Sequence, residues 1–219
     1  CCCKRFWFQR CILSLKKEIE KDIRDWSRLN LEVPNKHLGG LPACPFAKKT
    51  WKDKKVLIKI KQKGKHYKSQ LSYNLEKVDW TKHEILIFCD PWYSYSPDKF
   101  QEFIDFYNNA YNLKDVYFMG FHPSAQPSME EHAFLIDPGP EETYDGNVEY
   151  SMMLIQKFSQ LQQASDKLHK VGYYKGWPKD YYDEVVKARS KIYKKIRRYL
   201  WRNLQKCPWL EVVWWSKDY

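Results

Sequence analysis

A chain of 219 residues with 43% hydrophobic content can bury a real core and is too apolar for a disordered polymer. Its net charge of +11 is uneven: from Asp166 to Tyr219 fourteen Lys/Arg stand against six Asp/Glu. No apolar run reaches the roughly 18–20 residues that span a bilayer, and no signal-peptide core is visible. Seven cysteines, odd in number and scattered, favour an intracellular, reducing compartment (cytoplasmic or organellar) over a disulfide-stapled secreted fold.

The chain opens on Cys1-Cys2-Cys3 beside basic and aromatic residues, which suits either a lipidated membrane contact or a frayed end. Ile12, Leu15, Ile19, Ile23, Trp26 and Leu29 recur at steps of three and four, predicting an amphipathic helix over 11–29 that Asn30 and Pro34 end. The loop PNKHLGGLPACP follows, with Pro45 placed for a first helical position. KVLIKI (55–60) alternates like a half-buried strand, 68–79 is weakly helical, and EILIFC (84–89) is a β-branched, apolar strand. Ser96-Pro97-Asp98 starts a helix whose apolar face is Phe100, Phe103, Ile104, Tyr107 and Tyr111.

VYFMGF (116–121) is a third strand and AFLID (133–137) a candidate fourth. After the acidic loop DPGPEETYDGN, a helix is expected over 148–168 through Leu154, Ile155, Phe158, Leu161 and Leu168. VGYYKGWPKD breaks the chain before a long basic helix over 181–205. Val185, Ala188, Ile192, Ile196 and Tyr199 form its apolar face, and Lys187, Arg189, Lys191, Lys194, Lys195, Arg197, Arg198 and Arg202 cover the rest. The tail CPWLEVVWWSKDY is apolar and aromatic, and needs a partner or a groove on its own domain.

The order strand–helix–strand–helix–strand implies an α+β fold: a small mixed sheet of three or four strands with βαβ crossovers, covered by helices, plus a basic helical C-terminal extension. The chain divides into an N-terminal helix (1–35), an α+β core (36–171) and the basic, aromatic-rich extension (172–219). Ligands in such sheets gather beyond the carboxyl ends of strands. That places Cys89-Asp90 and His122-Pro123 at one edge and leaves Cys44 unplaced.

Cys44 and His122 are the candidate site residues. A thiol at a helix start, beside Lys48 and Lys49, faces unpaired N–H groups and the positive end of the dipole, which favour thiolate; a buried packing cysteine is the plain alternative. Pro123 restrains His122 to extended backbone, which suits a general base or a metal ligand as well as a ring bonding a loop carbonyl. Asp90-Pro91 reads first as a turn. Glu130, Glu131 and His132 could add ligands, but no HExxH or CxxC spacing, phosphate loop or nucleophile elbow is present, so no metal or cofactor is assigned.

CPFAKK, then EILIFCDP, DKFQEFIDFYNNAY and VYFMGFHP, over roughly 36–165, resemble in order and spacing an uncharacterised bacterial family catalogued as domain of unknown function fourteen-fifteen. That family continues with an Asn-Arg-Ser-Pro-Tyr-Pro-Met-Leu-His-Leu-Leu-Arg-like segment. Here NVEYSMMLIQK keeps Asn147, Tyr150 and Met152, with Leu154 for the His, Lys157 for the final Arg and nothing for the first Arg. The resemblance implies a shared fold and links Cys44 to His122, with no established chemistry. Two functions follow as expectations. One is an enzyme using a reactive thiol on a small substrate. The other is a non-catalytic accessory or binding subunit, docked on a larger assembly or acidic partner through 172–219, with nucleic acid a further partner that no motif supports.

Overall fold

The computed structural model describes residues 2–35, 38–124 and 149–204. Helix α1 (Cys2–Trp26) runs into a π-helical turn (Ser27–Leu31). There follow α2 (Ala47–Lys52), β1 (Val56–Ile60), α3 (Tyr67–Glu76), β2 (Ile85–Asp90), α4 (Pro97–Tyr111) and β3 (Val116–Phe121). After them come β4 (Ser151–Lys157), α5 (Phe158–Lys170), the short α6 (Lys179–Tyr181), a second π segment (Tyr182–Lys187) and α7 (Ala188–Leu204). The fold is α+β, with one four-stranded mixed sheet in the order β1-β2-β4-β3. β1 and β2 are parallel, joined across α3, while β4 is antiparallel to both β2 and β3.

One expected element is corrected. Residues 151–157, read as the start of a helix over 148–168, form the fourth strand, and the helix begins at Phe158. SMMLIQK lies mid-sheet with Ser151 to Ile155 buried, so its apolar residues run without alternation. A short continuous apolar run carries no period that separates strand from helix, and pairing on both sides decides it. The segment 133–137 and the tail from 207 lie outside the described residues.

Alternation along each strand divides the core into two layers. On one face Leu86, Phe88, Phe118, Met153 and Ile155 meet Tyr67 and Leu71 of α3 and Phe100, Phe103, Ile104 and Tyr107 of α4. On the other, Ile87, Cys89, Met152 and Leu154 meet Ile19, Ile23 and Trp26 of α1. Burying each of these large side chains contributes about 1.5–3 kcal/mol before entropy is charged against it. On the side of β3 away from β4 a side chain takes the backbone groups: Asn108 Nδ2 donates to Phe118 O at 2.9 Å and Phe118 N donates to Asn108 Oδ1 at 2.9 Å.

The C-terminal helices are tied to the rest. Gln162 bonds Ser190 Oγ at 2.9 Å, Arg189 donates to Ser165 Oγ at 3.0 Å, and Tyr193 packs edge-on against Phe158. Tyr173 OH donates to the carbonyls of Pro42 and Ala43 at 3.1 and 2.9 Å. The packed face of α7 differs from the expected one. Val186, Arg189 and Ile196 are buried, with Tyr193 half-buried, while Ile192 and Tyr199 face outward. The observed face keeps steps of three and four and is turned toward Arg189, whose charge places it, by sequence, with the solvated residues.

Candidate functional site

Cys44 lies in a clamped turn rather than at a helix start. α2 begins at Ala47, two residues beyond Pro45, so Pro45 is not its first residue. Cys44 N donates to Leu31 O at 3.0 Å, Ala47 N returns to Cys44 O at 3.1 Å, and Tyr173 holds the two carbonyls upstream. Gly39 and Gly40, at φ +65° and +81°, let the chain turn back into this clamp in a region other residues avoid. The N–H groups of Phe46 and Ala47 do favour thiolate, but burial outweighs them and nearby Glu32 adds to it. The Cys44 thiol is therefore pushed up, opposite to the activation expected of a helix N-terminus.

Glu32 belongs to a small network on the α1 side of the sheet. Arg24 and Ser27 both donate to its carboxylate, Trp51 Nε1 donates to Ser27 Oγ at 2.8 Å, and the Arg24 guanidinium stacks 5.1 Å from the Trp51 ring. His122 sits on the other side. Its buried ring packs against Phe100 of α4 and Tyr93, at centroid distances of 5.7 and 6.3 Å. Cys44 is bonded to Leu31, which packs on the α1 side of the sheet, and His122 packs on Phe100, which belongs to the α3/α4 side.

The register brings Asp90 and His122 to one strand edge, as expected, and adds Ser151, which the sequence reading missed. Asp90 pairs with Ser151, and one step beyond Phe121↔Met152 brings His122 opposite Ser151. All three are buried and share the α3/α4 face, in one row across β2, β4 and β3. Asp, Ser and His in a row invite a triad reading, which the hydrogen bonds refuse. Asp90 Oδ1 accepts from Trp92 N at 3.0 Å and Oδ2 from Ser94 N at 2.9 Å. His122 Nδ1 accepts from Ser124 N at 3.1 Å, and Nε2 faces Tyr95 O at 3.2 Å. A neutral imidazole protonated on Nε2 satisfies both contacts. Asp90 and His122 thus pin the loops that leave their strands, where a triad needs the imidazole bonded to both partners.

Beside them the Tyr67 hydroxyl is buried without a hydrogen-bond partner, and burial with nearby Asp90 pushes its pKa well up. Cys89, fully buried, is likewise pushed up by burial. Glu130, Glu131 and His132 lie outside the described residues. Among the described residues, no three His, Cys, Asp or Glu gather as a metal would need, and no helix is long and apolar enough to cross a membrane.

The other distinctive surface is the outer side of α7. Lys191, Lys194, Lys195, Arg198 and Arg202 are exposed and fall within an arc of about 100°. Arg197 and Trp201 flank this stripe on one side, Tyr199 and Ile192 on the other, and Trp201 is 60% exposed. No Asp or Glu occurs from Val185 to Leu204. Arg189 leaves the solvated set expected of it: it is buried against α5, with Nε unpartnered. No family model, curated protein or solved structure matches this chain.

Proposed function

We propose that this chain is a non-catalytic binding protein that docks on an acidic partner through the outer face of α7. One contrast carries the reading. In α1 two lysines are neutralised within the helix, Lys16 by Glu20 and Lys21 by Asp25 at i,i+4. α7 instead sets cation on cation at that spacing: Lys191 with Lys195, Lys194 with Arg198, Arg198 with Arg202. Each such like-charge pair weakens a helix by about 0.2–0.5 kcal/mol. A partner's negative charge turns that repulsion into binding energy and steers the encounter.

Thiol chemistry at Cys44 has less support. Burial favours its protonated form, and His122 is engaged by main chain on the opposite face of the sheet. An intracellular, reducing setting accords with the free thiols Cys44 and Cys89.

The test compares two triple variants on immobilised heparin, a general polyanion. Lys191→Gln/Lys195→Gln/Arg198→Gln removes three charges from α7, and Lys48→Gln/Lys49→Gln/Lys52→Gln removes three from α2. The α7 triple should elute at clearly lower salt than the α2 triple, with both unfolding cooperatively. Equal elution of the two would assign retention to net charge alone and defeat the docking face.

A further inference from the structure

Resting on that reading, we infer that the acidic partner is a single-stranded nucleic acid, with its phosphates along the cationic stripe and its bases against the aromatic flank. The five cations of the stripe extend over about 17 Å of helix, at 1.5 Å per residue. Successive members are three or four residues apart where they neighbour on the surface, so the stripe is a repeating row of positive charge. A nucleic-acid backbone presents a matching, repeating row of negative charge. The flanks add what a single strand alone offers in return. Trp201 and Tyr199 are 60% and 56% exposed beside the row, with Arg197 and Arg198 next to them. Unpaired bases stack on such rings whatever their sequence, and arginine adds a planar cation.

An anionic membrane fits less well. A helix that lies on lipid sinks its apolar side into it. Here Ile196 is buried in the protein and Tyr193 lies on Phe158, while the exposed Ile192 and Tyr199 stand across the cationic row from Trp201, so a sheet of lipid would have to take the charges and both flanks at once.

The test uses the full chain and a fluorescent dT12 oligonucleotide, followed by anisotropy from 50 to 200 mM salt. With five phosphates neutralised, log K should fall against log salt with a slope near ~3.5, about 10²-fold over that range. The variant Lys191→Gln/Lys195→Gln/Arg198→Gln should lower the slope by about 2. Trp201→Ala should weaken binding about tenfold at unchanged slope, and Trp201→Phe should restore most of it. Three further probes share the charge without the bases: inorganic polyphosphate of matched length, phosphatidylserine vesicles and polyglutamate. If polyphosphate binds as tightly as dT12 and Trp201→Ala changes neither, base stacking is refuted while the docking face stands. Preference for vesicles or polyglutamate over dT12 likewise overturns the nucleic-acid assignment alone. If no anionic probe binds at 50 mM salt, the docking face falls with it.

Discussion

Cys44 keeps its proton because the turn around it is enclosed: Leu31 takes its N–H, Tyr173 holds the two preceding carbonyls, and Glu32 lies near. In the native protein it should therefore alkylate slowly with iodoacetamide at pH 7.5, about tenfold or more below its rate in urea. Mass spectrometry of the labelled peptide reads this directly; native labelling as fast as unfolded would mean an open, ionised thiol. The residue types at this point were readable and their state was not. Cys, Pro and two glycines announce a constrained turn, but whether dipole or desolvation wins depends on Leu31, Glu32 and Tyr173, all remote in sequence. For His122 the extended geometry before Pro123 was readable, and the partner that settles its role, the Tyr95 carbonyl, lies 27 residues upstream.

Among elements, α4 and β3 show how closely the helix layer sits on the sheet. A Cβ at Gly120 would lie 2.0 Å from Ile104 Cδ1 and 3.0 Å from Phe100 Cε1. Gly120→Ala should destabilise the protein by about 1–3 kcal/mol through overpacking. Ile104→Val, which removes the clashing methyl, should make the double variant cost less than the sum. Urea midpoints of the four proteins decide it, and strict additivity would mean that α4 stands off the strand. Several elements were readable: β1 from alternation, β2 from a β-branched apolar run, β3 from VYFMGF and α4 from the Ser96-Pro97 start. β4 and the face of α7 were not. One is an aperiodic apolar run claimed by two neighbouring strands, and the other buries Arg189, a residue whose charge marks it for solvent.

For the molecule as a whole, the burial of weak acids sets its response to alkali. Cys44, Cys89, Tyr67, Tyr107 and Tyr117 all have pKa values raised above their ordinary 9 or 10, chiefly by desolvation. As pH rises the unfolded chain therefore releases these protons first. Above about pH 8.5–9 for the thiols and 10 for the phenols it binds fewer protons than the folded state, so stability falls with pH. Urea midpoints should hold near neutral pH and drop progressively from pH 9 to pH 10.5. A flat profile across that interval would show these groups to be open to solvent.

The strand order has a consequence in time as well as in space. Among the described residues β3 joins the sheet through β4 alone, and β4 is the last strand to be made. Until residue 157 has been synthesised, the strand that stands between β2 and β3 is missing. The sheet is therefore completed by insertion at its centre, not by growth at its rim. The α3/α4 layer and the α1 layer both wait for the same seven residues before either can close. Ribosomal order and spatial order disagree here: the described strand made last, Ser151–Lys157, is the one that stands between β2 and β3.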